Sequence, residues 1–171
     1  SKNTFLCICR RQNLKIGVLS DTHGIKKFTE KALENMKDAD MILHAGDLVS
    51  DARHIETLKY KVHCVAGNCD SYGLESTEKI LEIQEKRIFL THGHIYKVKF
   101  GYEKLLVRAK QLFADVVIFG HTHFPENIYI NNILFFNPGS TTLPKNGGLG
   151  TFGILEIIKG NINTYIGTIK T

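Results

Sequence analysis

The sequence predicts an α/β fold of two mixed sheets packed face to face, with helices on their outer surfaces. Two observations support this prediction. In residues 14–66, β-rich runs alternate with helical segments, which is typical of a layered α/β fold. In residues 127–169, β-rich runs follow one another and turn at Asn131-Asn132 and Gly160-Asn161, which is a hairpin signal. Because strands both alternate with helices and pair as hairpins, we expect two sheets.

Three β-rich runs and two helical segments make up the first half of the chain. The strands are predicted at residues 14–19, 41–45 and 62–66, and the helices at residues 27–37 and 51–59. The first helix has an apolar face at helical spacing, formed by Phe28, Ala32, Leu33 and Met36. Each strand runs into a glycine or serine beside an Asp or Asn, so polar side chains follow every strand of this half.

Paired strands dominate the second half. They are predicted at residues 79–83, 87–91, 115–119, 127–130, 133–136, 151–158 and 163–169. One amphipathic helix lies among them, with an apolar face formed by Tyr102, Leu105, Leu106, Ala109, Leu112 and Phe113. No repeat or linker divides residues 14–171, so we expect one domain there, whereas residues 1–13 form an N-terminal extension without an assigned role.

Composition limits the classes of function. A chain of 171 residues with 43% hydrophobic and 23% charged residues is ordinary for a globular protein, and no apolar run approaches the roughly 18–20 residues of a membrane span. The net charge of +5 comes from scattered Lys and Arg, which permits an acidic substrate and disfavours nucleic acid. Four cysteines without a CxxC pair, and no secretory signal, predict a reduced cytoplasmic setting. Homo-oligomerisation stays open.

Seven potential metal ligands follow the predicted strands. They are Asp21, His23, Asp47, Asn68, His92, His121 and His123. Because sites in open α/β sheets form at the carboxyl ends of strands, we expect these side chains to converge at one edge. A mixed set of oxygen and nitrogen ligands suits Mn²⁺, Fe, Ni²⁺, Co²⁺ or Zn²⁺ rather than Mg²⁺ or Ca²⁺ alone.

The spacing of the last two histidines permits a pair of ions, although the same residues could also be solvated histidines of a turn at the end of a strand. His121 and His123 are two residues apart, which in extended backbone separates them by about 6–7 Å on the same side. Two imidazoles at that spacing can each hold one ion of a pair about 3.5–4 Å apart, and a single carboxylate is enough to bridge the pair. A hydroxide held between two such ions is a nucleophile at neutral pH.

In order and spacing, these residues resemble the calcineurin-like metallophosphoesterases. The family motif D-x-H, G-D, G-N-H-D/E, H, G-H-x-H is matched by Asp21-Thr22-His23, Gly46-Asp47, Gly67-Asn68-Cys69-Asp70, His92 and Gly120-His121-Thr122-His123. The match covers residues 15–158. The strings Leu90-Thr91-His92-Gly93-His94 and Phe136-Asn137-Pro138-Gly139-Ser140 make the chain most similar to the small YfcE-like phosphodiesterases.

The resemblance implies a four-layer α/β/β/α sandwich and two divalent transition-metal ions, with Mn²⁺ first. One ion would be held by Asp21, His23, Asp47 and His123, and the other by Asp47, Asn68, His92 and His121, so that Asp47 bridges. The implied activity is hydrolysis of a small phosphodiester by a metal-bridging hydroxide. Asp70 would orient its surroundings, and His94, the candidate catalytic side chain, would either contact the substrate phosphate or sit at the rim. His44, His54 and His63 match no motif position, which predicts structural or surface roles.

One position departs from the family pattern. Cys69 stands where many members carry a His that stabilises the transition state or protonates the leaving oxygen. A neutral thiol is a weak donor, so the departure bears on substrate and rate and not on metal binding. Two alternatives to a phosphodiesterase remain: a non-catalytic interaction scaffold, because a retromer subunit shares the fold, and a nuclease, as in larger relatives.

Overall fold

The computed structural model describes residues 13–145 and 147–170. Within these residues the chain forms ten strands and three α-helices. The elements in the first half are β1 (Asn13–Leu19), α1 (Lys26–Glu34), β2 (Met41–His44), α2 (Val49–Thr57), β3 (Val62–Cys64), β4 (Glu78–Ile83) and β5 (Lys86–Thr91). Those in the second half are α3 (Glu103–Gln111), β6 (Val116–Ile118), β7 (Glu126–Ile130), β8 (Ile133–Asn137), β9 (Thr151–Ile158) and β10 (Asn161–Thr168).

The strands form two five-stranded mixed sheets. The first sheet has the order β10-β9-β1-β2-β3, in which β1, β2 and β3 are parallel and β9 runs antiparallel to β1. The second has the order β4-β5-β6-β8-β7, in which β5, β6 and β8 are parallel and the edge strands β4 and β7 are antiparallel. Each sheet therefore contains three adjacent parallel strands, which send their carboxyl ends to one edge.

The two sheets bury one apolar layer between them. Ile16 and Leu43 of the first sheet join Ile88 and Phe136 of the second in a single cluster. Alternate residues face the other way, so that Ile42 lies in a different cluster with the helical residues of α1 and α2. The second sheet packs its outer face against α3 in the same manner. This arrangement confirms the predicted two-sheet α/β fold with outer helices, in the order α/β/β/α.

The predicted elements are all present among the described residues, with ends that shift by a few residues. The sequence prediction was wrong about Phe113, which was assigned to the apolar face of the third helix. That helix ends at Gln111, and Phe113 has a φ of +52° and a side chain that is 80% exposed. The chain must turn there to begin β6, and this turn carries Phe113 away from the buried face.

The segment between β5 and α3 and the N-terminal segment need separate comment. Short 3₁₀ turns at His94–Tyr96 and Val98–Phe100 connect β5 to α3, where no element was expected. The proposed extension falls almost entirely on residues 1–12, which lie outside the described residues, while Asn13 is the first residue of β1 and pairs with Ile158.

Candidate metal centre

The loops that follow five parallel strands meet at one edge of the two sheets. Asp21 and His23 follow β1, Asp47 follows β2 and Asn68 follows β3. His92 follows β5, and the pair His121 and His123 follows β6. The first sheet thus brings three oxygen ligands and one imidazole, and the second sheet brings three imidazoles. The two sets face each other across the gap between the sheets.

One cluster joins the two sheets at Asp21. His123 Nε2 lies 3.2 Å from Asp21 Oδ1 and 3.2 Å from His23 Nε2. One ligand atom from each of these three residues lies within 4.8 Å of the others. A carboxylate and two imidazoles at this spacing form a donor set that fits a first-row transition metal.

A second cluster adjoins the first. It contains Asp21, Asp47 and His92, again with one ligand atom of each within 4.8 Å of the others. His92 is fully buried, with Nδ1 2.8 Å from the carbonyl oxygen of Ala45 and Nε2 2.9 Å from Asn68 Oδ1. Since Ala45 O accepts the proton of Nδ1, Nε2 carries a lone pair and faces the cluster, which is the tautomer a metal ligand needs.

The carboxylate of Asp47 faces both clusters. Its Oδ2 lies 2.8 Å from His23 Nδ1, and its Oδ1 lies 3.9 Å from His92 Nε2. The Oδ2 contact does not have the direction of a hydrogen bond, so within the described part of the chain this buried oxygen has no hydrogen-bond partner. A buried carboxylate oxygen left without a donor is costly unless a cation pairs with it, so the donor set fits a divalent ion.

His121 lies beside these clusters and not within them. Its ring centre is 5.1 Å from that of His92 and 6.1 Å from that of His94, and its backbone N–H donates to Asp21 Oδ2 at 2.9 Å. Asp21, and not Asp47, is the residue that the two clusters share. The grouping therefore differs from the one that the resemblance implies, in which Asp47 bridges and His121 is a ligand.

The two histidines of the β6 loop have opposite electrostatic environments. Burial, with His92 as a further cause, lowers the pKa of His121 to about 4. A hydrogen bond to Asp21 raises the pKa of His123 above its ordinary value, although burial opposes this. Burial alone raises the pKa of Asp21, but hydrogen bonds from His123 and Ser20 and the nearby His92 together hold it below its ordinary value.

The backbone of the site is unusual for residues with side chains. Five of the seven predicted ligands have positive φ, with values of 53° at Asp21, 49° at His23, 99° at Asp47, 68° at His121 and 59° at His123. Non-glycine residues rarely adopt this region, and each such residue costs on the order of 1–3 kcal/mol unless the surrounding structure imposes it. Such residues concentrate at functional sites, and here they coincide with five of the predicted ligands.

Glycines let the loops approach one another. A Cβ at Gly67 would lie 2.4 Å from Asp47 Cα, and a Cβ at Gly120 would lie 1.9 Å from Ser20 Oγ. Neither loop could reach its neighbour with a larger residue at these positions. This explains the glycine beside the ligand in both motifs.

The comparisons with known proteins agree with this arrangement. The profile of the calcineurin-like phosphoesterase superfamily domain matches residues 14–160. This chain belongs to the calcineurin-like phosphoesterase superfamily. The match runs from β1 to β9 and includes every residue of the two clusters.

Two relatives of this phosphoesterase are bacterial. The probable metallophosphoesterase YsnB of Bacillus subtilis is 32% identical over 145 residues, which cover 84% of this chain and 85% of the relative. The phosphodiesterase YfcE of Escherichia coli K12 is 30% identical over 168 residues, which cover 84% and 88%. The predicted resemblance to this family and to YfcE is therefore confirmed.

Solved structures share the fold. A predicted phosphoesterase from Streptococcus pneumoniae superposes with a TM-score of 0.78 at 28% identity, covering 91% of this phosphoesterase and 90% of that chain. Vps29 of Entamoeba histolytica, solved with Zn²⁺, superposes with a TM-score of 0.69 at 22% identity, covering 92% and 100%. The second likeness shows the common fold alone.

Further residues of this phosphoesterase surround the clusters. Asp70 accepts hydrogen bonds from the backbone N–H groups of Val49 and Gly67, at 2.8 and 2.9 Å, and so ties the β2 and β3 loops together. A hydrogen bond to Asp47, with burial adding to it, raises the pKa of the Cys69 thiol to about 11. The thiol is therefore neutral near pH 7.

His94 lies at the edge of the centre. Its ring centre is 5.4 Å from that of His92, and its buried Nδ1 has no hydrogen-bond partner among the described residues. Burial, together with His92, lowers its pKa, so the ring is neutral near pH 7. His94 and Asn68 also line a groove that continues along the loop containing Tyr72 and Ser76.

Sequence reasoning missed several residues that hold the ligand loops. Ser140 Oγ donates to the carbonyl oxygen of Asp21 at 2.8 Å, and Asn137 Nδ2 donates to that of Gly120 at 3.1 Å. The string Asn137-Pro138-Gly139-Ser140 was noted only as a turn and a point of resemblance. Three buried residues, Thr22, His44 and Asp51, were also assigned no part in the site.

Among the described residues, no helix combines the length and apolar character needed to cross a membrane.

Proposed function

We propose that this protein is a phosphodiesterase that uses two divalent transition-metal ions to hydrolyse a small phosphodiester. One ion would be held by Asp21, His23, Asp47 and His123, and the other by Asp47, Asn68, His92 and His121. The observation that carries the proposal is the orientation of Asp47. Its two oxygens face His23 and His92, which belong to the two different ligand sets, and Oδ2 lacks a hydrogen bond.

The ligand types support this assignment. When bound, divalent ions of this kind neutralise charge on the phosphoryl group and activate water for attack near neutral pH. The oxygen and imidazole donors favour Mn²⁺, with Ni²⁺, Fe, Co²⁺ and Zn²⁺ also suited to the set. Asp21 and Asp47, which are 1% exposed, hold their charges close together, and they need bound cations to offset the mutual repulsion.

The residues at the rim would receive the substrate. His94 is neutral and lies beside His92 and His121, so it is placed to hydrogen-bond a phosphoryl oxygen or the departing oxygen. The groove along Asn68, Tyr72 and Ser76 offers space for one of the two ester groups. Free thiols at Cys64 and Cys69 are compatible with the cytoplasmic setting that we propose.

A metal-reconstitution experiment tests the proposal. Protein stripped of metal would be loaded separately with Mn²⁺, Ni²⁺ and Zn²⁺ and assayed on cyclic nucleotides, aryl phosphodiesters, aryl monoesters and single-stranded DNA. We expect metal-dependent hydrolysis of small diesters at two bound ions per chain, with Mn²⁺ most active, and little hydrolysis of the other classes.

The other outcomes select among the alternatives. Preferential hydrolysis of DNA would identify a nuclease. Tight binding of ions without hydrolysis of any ester would indicate a non-catalytic scaffold. Activity that is unchanged by removing the metal would overturn the proposal altogether.

A further inference from the structure

We infer that Thr22, together with His44 and Asp51, is a positioning element for the metal centre: the three side chains form one buried hydrogen-bond chain that fixes the ligand loops after β1 and β2. The inference rests on the proposed function in one respect, namely that Asp21, His23 and Asp47 are metal ligands. Thr22 and His44 are fully buried, and Asp51 is 6% exposed. None of the three is itself a proposed ligand.

The chain of hydrogen bonds runs between the two loops. The backbone N–H of Gly46 donates to His44 Nδ1 at 3.2 Å, and His44 Nε2 lies 3.1 Å from Thr22 Oγ1. The Thr22 hydroxyl donates to Asp51 Oδ2, and the same oxygen accepts the backbone N–H of Gly24 at 2.8 Å. Asp51 lies in the first turn of α2 and His44 at the end of β2, so both belong to regular elements of the first half and not to the loops themselves.

These bonds allow only one direction of donation. Because the N–H of Gly46 points at Nδ1 of His44, that nitrogen must be the acceptor, and a neutral imidazole then carries its proton on Nε2. Nε2 donates to the Thr22 oxygen, and the Thr22 hydroxyl proton is left to donate to the Asp51 carboxylate. Each donor meets an acceptor, so the network is satisfied without a further group.

The hydrogen-bond chain holds residues that are next to the proposed ligands with positive φ. Thr22 lies between Asp21 and His23, which have φ values of 53° and 49°, and Gly46 precedes Asp47, with a φ of 99°. Non-glycine residues keep such conformations only where surrounding contacts impose them. The chain holds the side chain of Thr22 and the backbone of Gly24 on either side of His23, and it holds the backbone of Gly46 beside Asp47.

A buried polar cluster that only stabilises the core is the alternative explanation, and a matched residue separates the two. Thr29 in α1 is also buried, at 2% exposure, but its Oγ1 has no hydrogen-bond partner among the described residues. Replacement of either threonine by valine removes a buried hydroxyl and keeps the shape of the side chain. Only the replacement at Thr22 interrupts a connection between ligand loops.

The experiment compares Thr22→Val, Thr22→Ser and the control Thr29→Val with the wild type. Mn²⁺ binding to protein stripped of metal would be measured by calorimetry and by electron paramagnetic resonance, together with kcat and KM for an aryl phosphodiester and the melting temperature in EDTA. Loss of a residue that orients a metal ligand typically costs about 10–100-fold in metal affinity. We expect a loss of that size in Thr22→Val, near-complete recovery in Thr22→Ser, and wild-type binding in Thr29→Val.

The results distinguish the inference from the proposed function. Wild-type protein that fails to bind two equivalents of Mn²⁺ would count against the proposed function. Two outcomes would overturn the inference, provided that the wild type binds two equivalents of Mn²⁺. One is a Thr22→Val protein with the same Mn²⁺ affinity as the wild type. The other is a Thr22→Ser protein that loses as much Mn²⁺ affinity as Thr22→Val. If Thr22→Val does not fold, ¹⁵N spectroscopy of the wild-type His44 ring decides. A proton on Nε2 supports the proposed hydrogen-bond chain, and a proton on Nδ1 contradicts it.

Discussion

The two sheets contribute different chemistry to the same site. The loops of the first sheet supply both carboxylates and the amide oxygen, while the loops of the second supply three imidazoles. Asp21 and Asp47 are almost completely buried, whereas His121 and His123 remain partly exposed. The negative charge of the site is therefore fixed deep in one half, and neutral or protonatable ligands approach it from the other half.

The groups beneath the loops differ in the same way. Ionisable side chains support the loops of the first sheet, namely His44, Asp51 and Asp70. Neutral Asn137 supports the loop of His121, through bonds to Gly120 O and Thr122 Oγ1. The first half should therefore respond to the loss of its charged and ionisable supports, while the second half should respond mainly to the loss of its candidate ligand nitrogens.

The largest expected effect comes from removing the central carboxylate of the first half. Asp47→Ala should lower kcat by more than about 10²-fold, beyond the roughly 10–100-fold loss for residues that only orient ligands, and reduce bound metal below two equivalents. The fold should persist, since one of the two oxygens removed, Oδ2, is buried without a hydrogen-bond partner among the described residues. Elemental analysis and melting in EDTA provide the measurements. Two full equivalents of metal in the mutant would remove Asp47 from the bridging position.

The acid sensitivity of the first half gives the second prediction. Burial lowers the pKa of His44 from 6.5 to about 4, so the unfolded chain takes up this proton before the folded chain does. Neutral His44 therefore contributes fully to the free energy of unfolding above pH 6.5. This contribution falls as the pH drops from 6.5 through 4, by about 3 kcal/mol in total.

His44→Gln removes this titration, so its free energy of unfolding should fall less steeply than that of the wild type between pH 6.5 and 4. Urea unfolding at a series of pH values in EDTA measures the slope, and Asn137→Ala in the second half serves as the control with an unchanged slope. Parallel curves for His44→Gln and the wild type would show that His44 does not titrate differently on folding.

The third prediction sharpens the comparison by adding an imidazole to the first half. Cys69 has a thiol with a pKa of about 11, so it is a weak acid for a departing alkoxide. A positioned acid contributes about 10²–10⁴-fold to such steps. We expect Cys69→His to raise kcat at least about tenfold for diesters with poor leaving groups and little for activated aryl diesters.

The measurement is a plot of log kcat against leaving-group pKa for both proteins at equal metal content. The slope should become shallower in the mutant, and Cys64→Ser, at the other described cysteine, should leave it unchanged. An identical slope in Cys69→His and the wild type would mean that another group already donates the proton, with His94 the first candidate.

The smallest effect is a difference within the second half and involves no loss of activity. In protein stripped of metal, His121 should titrate at about pH 4, because burial disfavours its charged form. His123 should titrate above 6.5, because Asp21 accepts its hydrogen bond. NMR titration of the two rings tests this, and Asp21→Asn should lower the pKa of His123 more than that of His121. Equal pKa values in the wild type would contradict the proposed contact.

The sequence predicted the residues that gather in the two clusters better than it predicted their supports. Polar residues close to a glycine or serine at strand ends form a local pattern, so Asp21, Asp47 and His123 could be recognised without knowing the tertiary structure. The strands of both sheets could be predicted because their periodicity is also a local pattern. The end of α3 was misplaced at Phe113, because the apolar spacing continues for two residues past the helix.

The supports could not be predicted because they act across long distances in the sequence. Ser140 contacts Asp21 across 119 residues, and Thr22 contacts Asp51 across 29. Neither contact is accompanied by a recognisable pattern in the residues that flank it in the sequence. A buried threonine or serine in a loop looks the same whether or not it holds a ligand, so only the three-dimensional arrangement distinguishes Thr22 from Thr29.

The place of β1 in the first sheet bears on how the protein is synthesised. Among the strands in the described residues β1 comes first in the sequence, yet one of its two neighbours is β9, and Asn13 pairs with Ile158. The loop after β1 also receives its hydrogen bond from Ser140. A nascent chain that lacks residues 151–168 therefore has an open edge along β1, and long-range pairing of this kind is slow to form. The loop of Asp21 therefore reaches its final contacts only after Ser140 and β9 have been synthesised.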